Sequence, residues 1–218
     1  MTTTSEANDR KCEVVETAQE LLRRGLVEGT SGNLSARLPD GNVVLTPSSL
    51  AYESMTIDDL VVTDLDGNTV EGHRAPTTEK ALHLACLRRY PELGAVIHSH
   101  AMHCTMFAVA GKPIPCVIEE FDIYVGGEVP VADYRLTGSD ELGEEVARHL
   151  GDRGAVLMAN HGLVSVGRDL ADAMKVASLV ERTAQIVWGA HALGEIVPLP
   201  ASTMKKFAPI YSALRGRK

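Results

Sequence analysis

Apolar positions recur at helical spacing over residues 10–28, where Val14, Val15, Ala18, Leu21 and Leu22 predict an amphipathic helix. The turn-rich segment Gly29-Thr30-Ser31-Gly32-Asn33 interrupts it, and the pattern then changes to alternation. Residues 34–38 and 42–46 read as two strands joined by the turn signal Pro39-Asp40-Gly41-Asn42. Residues 60–63 and 69–70 flank Asp66-Gly67-Asn68 as a second hairpin. A helix is predicted from Thr77-Thr78-Glu79 to about Arg89, with Thr78 as its N-cap and Glu79 suited to the first turn. Short apolar runs at 95–97 and 155–158 predict buried strands, and 163–166 predicts a returning strand. Further helices are expected near 101–109, from Ser139 to Leu150 and over roughly 169–191. Residues 1–10 are polar and expected to be flexible, and residues 200–218 form a tail that carries Tyr211 and ends basic.

Hairpins in the first third, with helices between the later strands, argue for one α/β domain spanning 1–218. The expected architecture is a single-domain α/β/α sandwich with a central mixed, mainly antiparallel sheet. The chain lacks the alternating βαβ pattern of a dinucleotide fold and has no GxGxxG. A length of 218 residues suits one core better than two. The net charge of −8 argues against nucleic acid as a partner. No apolar run is long enough to cross a membrane, and the start MTTTSEANDRK has no apolar signal core, so a cytoplasmic location is expected. Cys12, Cys86, Cys104 and Cys116 form no CxxC pair and read as reduced thiols, with Cys104 a small buried apolar residue rather than a ligand.

The chemistry concentrates where the strands end. His98-Ser99-His100 closes the run Ala95-Val96-Ile97, and side chains two apart on a strand share a face. His161 follows the second apolar run. Three neutral imidazoles with one open position suit a catalytic divalent metal: zinc fits nitrogen ligands best, and ligand type leaves manganese, cobalt and nickel open. His73, His83, His103, His149 and His191 read as ordinary hydrogen-bonded histidines. Glu79 would complement the helix dipole in any protein. Beside a metal it would be a fourth ligand at rest and a general base during turnover. The small polar turns Gly32-Asn33, Ser48-Ser49 and Thr77-Thr78 offer N–H groups and hydroxyls that suit a phosphate dianion without a lysine.

GTSGNLS at 29–35, TPSS at 46–49, APTTEKALH at 75–83, AVIHSHAMHCT at 95–105 and ANHGLVSVG at 159–167 together resemble the class II aldolase/adducin-type family, in family order, over about residues 12–190. The resemblance implies cleavage of a ketose 1-phosphate, such as L-fuculose 1-phosphate or a 5-deoxypentulose 1-phosphate, to dihydroxyacetone phosphate and an aldehyde. It implies His98, His100 and His161 as metal ligands and Glu79 as acid/base. It assigns the phosphate to Gly32, Asn33, Ser48, Ser49, Thr77 and Thr78. It also implies a homotetramer with active sites at subunit interfaces, and a tail tyrosine over the active site, approximately matched by Tyr211. Where the family aldolase has a loop tyrosine before a Gly-Gly turn, this chain has Glu120 by spacing, with Tyr124 nearby. Related dehydratases use a glutamate in that region. The epimerase branch has an aspartate in place of Glu79, the dehydratase branch lacks that glutamate, and the adducin-like branch does not retain the metal histidines. The aldolase reading leads, with a methylthioribulose-1-phosphate-type dehydratase or a pentulose-phosphate 4-epimerase as the alternative.

Overall fold

The computed structural model describes residues 2–216. In chain order its elements are α1 (Thr2–Arg23), β1 (Asn33–Arg37), β2 (Val43–Leu45), β3 (Val61–Thr63), β4 (Thr69–Glu71), α2 (Lys80–Arg89), β5 (Ala95–Ser99), α3 (Met102–Ala110), α4 (Glu119–Val125), β6 (Val131–Ala132), α5 (Asp140–Leu150), β7 (Ala155–Met158), β8 (Gly162–Gly167), α6 (Leu170–His191) and α7 (Ala201–Leu214).

The eight strands form one sheet in the order β4-β3-β2-β1-β5-β8-β7-β6. Every pairing is antiparallel except β6 with β7, so the sheet is mixed and mainly antiparallel. Its side chains alternate between two cores, as the pleat requires. Ala95, Ile97, Ala155, Leu157 and Leu163 face a layer of α1, α3, α4 and α6. Val96, Val156, Met158, Val164 and Val166 face α2 and α5. Helices therefore cover both faces, which gives the expected α/β/α sandwich.

Four expectations need correction. The polar start is helical, because α1 begins at Thr2: Ala7 packs on the core and Lys11 pairs with Glu71 at 2.6 Å, which anchors a segment without apolar periodicity. The same helix ends at Arg23 rather than 28, because Gly25 turns the chain at φ +67° and sends Leu26 and Val27 into the core. Thr78 is not the cap of α2. Glu79 occupies that position, and the Thr77 hydroxyl accepts its N–H at 3.2 Å. Residues 119–125 and 201–214, read as loop and tail, are helices α4 and α7 packed on each other.

Candidate metal centre and active site

The histidines meet at one end of the sheet. His98 is the fourth residue of β5, His100 follows the strand, and His161 lies in the tight turn joining β7 to β8. One nitrogen from each lies within 4.8 Å of the others. His98 Nδ1 donates to the Leu163 carbonyl at 3.0 Å, because a carbonyl can only accept. Nε2 of the neutral ring therefore keeps its lone pair, and it stands 3.0 Å from His100 Nε2. Burial pushes the His98 pKa down to about 3, against the pull of Glu79, and burial also lowers that of His100. Neutral imidazoles converging in this way fit a divalent cation, which supplies the positive charge their lone pairs lack.

Glycine makes the convergence possible. A Cβ on Gly162 would lie 2.5 Å from the Ser99 carbonyl oxygen, 3.2 Å from the His100 ring and 3.4 Å from the His98 ring. Gly32, at φ +76°, would bring a Cβ to 2.9 Å from the His98 carbonyl oxygen.

Glu79 enters from the start of α2. Its Oε2 is 3.2 Å from His98 Nε2 and its Oε1 is 3.4 Å from His161 Nε2. The side chain is buried, and Oε1 makes no hydrogen bond among the described residues. An orphaned buried carboxylate oxygen facing three imidazoles is a second sign that the site fits a cation. Burial pushes the Glu79 carboxyl up, but His98, the Asn33 amide and His161 more than offset it, so it stays below the ordinary carboxylate range.

The three polar turns are brought to the same place. Ser48 N–H donates to the Ala75 carbonyl at 3.0 Å and Thr77 N–H to the Thr46 carbonyl at 3.1 Å, which ties loop 46–49 to loop 75–79. The Leu34 N–H donates to the Thr46 hydroxyl at 3.2 Å and Tyr52 OH to the Gly32 carbonyl at 2.8 Å, which ties both to Gly32-Asn33. Ser48 and Thr77 thus spend their backbone N–H groups on the loops. Their hydroxyls, with Ser49 in the left-handed region at φ 56° and the exposed Thr78, are what the turns present.

Glu120, Tyr124 and Tyr211 do not join this cluster within one chain. The Tyr211 ring lies on Gly126 and its hydroxyl donates to the Asp152 carbonyl. Arg215, one turn on, donates to the Val166 and Arg153 carbonyls. These contacts fasten α7 to the open end of the β7–β8 hairpin, roughly 13 Å along the strands from the His161 turn. Tyr124 lies under the Lys175 ammonium, 3.0 Å from ring centroid to Nζ. Glu120 is half exposed, 3.9 Å from Arg182 on α6.

Sequence reasoning passed over two supporting groups. Glu181 of α6 accepts the N–H groups of His103 at 3.0 Å and Cys104 at 2.9 Å, and so caps α3 directly after the His100 turn. His83, read as ordinary, contacts the Asn33 amide beside Glu79. Its signal was its position four residues after Glu79, one helical turn away.

The sequence profile of the Class II Aldolase and Adducin N-terminal domain matches residues 12–188. The chain is 35% identical over 194 residues to L-fuculose phosphate aldolase of Escherichia coli O6:H1, covering 89% of each protein. It is 36% identical over 195 residues to L-ribulose-5-phosphate 4-epimerase UlaF of Salmonella typhi, covering 84% of this chain and 86% of that one. A solved structure of L-fuculose 1-phosphate aldolase superposes with a TM-score of 0.89 at 33% identity, covering 94% of this chain and 96% of that chain. The chain belongs to the class II aldolase and adducin family. It is an enzyme of that superfamily, which acts on sugar phosphates with a divalent metal. No described helix is long and apolar enough to cross a membrane.

Proposed function

We propose that this protein is a metal-dependent aldolase that reversibly cleaves a ketose 1-phosphate to dihydroxyacetone phosphate and an aldehyde. The observation that carries the reading is Glu79: a buried carboxylate with one oxygen unpartnered, facing three imidazoles at the start of a helix. The family's epimerases have an aspartate there, and the shorter side chain would not reach as far. His98, His100 and His161 would hold the cation, zinc by ligand type with manganese or cobalt as alternatives, and Glu79 is placed to complete the donor set. The cation supplies Lewis-acid stabilisation of negative charge developing on the ketose oxygens.

The remaining work falls to the chain. Gly32, Asn33, Ser48, Ser49, Thr77 and Thr78, on loops hydrogen-bonded to one another near the start of α2, would take the phosphate end. Glu79 removes a proton from dihydroxyacetone phosphate in the synthetic direction and returns it in cleavage. Of the three candidate donors to the aldehyde oxygen, Glu120 is half exposed, whereas the Tyr211 hydroxyl is bonded to the Asp152 carbonyl and the Tyr124 ring lies under the Lys175 ammonium. We assign that role to Glu120, offered to the triad of a neighbouring copy in a homotetramer. Exposed Met102 and Val109 on α3 and Trp188 on α6 support self-association. Beside Glu120, Phe121 and Val125 are buried in the core, and the partly exposed Ile123 and Tyr124 favour a small or deoxygenated aldehyde, as released from L-fuculose 1-phosphate or a 5-deoxypentulose 1-phosphate.

Incubating the metal-loaded protein with a panel of ketose 1-phosphates and assaying the products tests the reading. Dihydroxyacetone phosphate with an equimolar aldehyde is the expected result. A dehydrated diketone, or an epimerised pentulose phosphate without triose, would replace the aldolase with the dehydratase or the epimerase.

A further inference from the structure

From Glu79 a file of buried polar side chains runs along β1 and α2, beginning at Asn33, the cross-strand neighbour of His98. Ser35 Oγ is 2.8 Å from His83 Nδ1, His83 Nε2 is 2.6 Å from Asn33 Oδ1, and Asn33 Nδ2 is 2.8 Å from Glu79 Oε2. Ser35 and His83 have no exposed surface, and Asn33 and Glu79 are each 5% exposed. The sequence spacing builds the file. Asn33 and Ser35 are two apart on β1 and share the face opposite Leu34 and Ala36. Glu79 and His83 are four apart at the start of α2, so both reach down to that face.

The file has only one self-consistent direction. A carboxylate can only accept, so Asn33 must turn its NH2 group toward Glu79 and its carbonyl oxygen toward His83. His83 Nε2 must then donate. Its Nδ1, on a neutral ring, must accept from the Ser35 hydroxyl. Reversing any one link would set two acceptors or two donors face to face in a buried space, which costs more than the link itself contributes. Glu79 Oε2 thereby acquires a fixed hydrogen-bond donor, while Oε1 accepts no hydrogen bond among the described residues and faces His161 Nε2 at 3.4 Å.

We infer that Ser35, His83 and Asn33 are positioning residues that decide which oxygen of Glu79 moves the proton, with Oε2 tied to Asn33 and Oε1 left to react. This rests on the aldolase reading for the reaction itself. The C–H bond of dihydroxyacetone phosphate breaks, its electron pair passes into the enediolate, and the proton forms an O–H bond at Oε1. In cleavage the same bond delivers the proton back. Asn33 holds the carboxylate in plane throughout, and His83 prevents the Asn33 amide from flipping.

Two measurements test this. In full-length zinc-loaded protein labelled with nitrogen-15 histidine, nuclear magnetic resonance should find His83 with Nε2 protonated and Nδ1 bare. An Nδ1–H tautomer would overturn the direction of the file. Turnover per bound metal then compares two amides at position 83. His83→Gln places its nitrogen near where Nε2 sits and can still donate to Asn33, whereas His83→Asn reaches only the level of Nδ1. Turnover should fall about tenfold or more in His83→Asn with KM and metal content retained, and His83→Gln should recover most of it. Equal turnover in the two variants would overturn the proposal, as would a loss in His83→Asn explained entirely by lost metal. A parent protein that binds zinc but releases no dihydroxyacetone phosphate would defeat the aldolase reading, and the tautomer would still decide the direction of the file.

Discussion

Gly162 shows how much of the site depends on a missing side chain. A Cβ there would meet the Ser99 carbonyl oxygen at 2.5 Å, and both histidine rings lie within 3.4 Å. Gly162→Ala should therefore push β8 away from β5 and splay His98 from His100. We expect metal affinity to fall by about tenfold or more, read by metal content after dialysis against a weak chelator. The fold should lose about 1–3 kcal/mol from overpacking, read by denaturant titration. The histidine pair was legible in the sequence because alternation on a strand fixes their common face. The support beneath them was not. Nothing in Asn160-His161-Gly162 says that the Leu163 carbonyl would orient His98, since that contact depends on the pairing of β5 with β8. Ser35, Asn33 and His83 were in plain view at helix and strand spacings. Their meaning depended on α2 crossing β1, which one sequence does not state.

At the scale of elements, α4 and α7 carry the largest departure from the sequence reading. Glu119–Val125 is only seven residues with three acids in its first turn, and Ala201–Leu214 contains Pro209, so neither gives a clean helical signal. Both become helices by packing on each other, with Tyr211 against Gly126. The Tyr211 hydroxyl bonds the Asp152 carbonyl, so Tyr211→Phe should cost about 1 kcal/mol of stability. It should also speed proteolysis within α7 while turnover per site is kept. A turnover loss of about a hundredfold with unchanged stability would instead make Tyr211 the proton donor and displace Glu120 from that role. Glu181 is a comparable device, since a carboxylate from α6 caps α3. Burial pushes its carboxyl up, but the His103 and Cys104 N–H groups outweigh this and hold it below the ordinary range.

For the whole molecule, acid should be the condition that unfolds it. Burial holds His83 neutral with a pKa pushed down to about 4, from 6.5 in an unfolded chain, against the opposing pull of Glu79. Between those values the unfolded chain takes up a proton that the folded one refuses, so stability is full above pH 6.5 and is lost as pH falls toward 4. The loss from this one residue is on the order of 3 kcal/mol. Denaturant titrations of metal-free protein across this window should show the decline, and His83→Gln should flatten it. At neutral pH the exposed apolar surface is the other whole-molecule feature, with Met102 65%, Trp188 57% and Leu193 92% exposed. Trp188→Asp should shift the species seen by size-exclusion chromatography with light scattering toward monomer and lower activity with it. A variant that stays associated and active would place the subunit interface elsewhere.

Glu79, within a three-histidine metal site, is proposed to move a proton on dihydroxyacetone phosphate. Solvent deuterium exchange into dihydroxyacetone phosphate, without any aldehyde present, tests it most directly. The metal-loaded protein should exchange one carbon-bound hydrogen stereospecifically. Glu79→Gln with equal metal content should exchange it about 10²–10⁴-fold more slowly. Undiminished exchange in Glu79→Gln, or none in the fully metal-loaded parent, would contradict the account.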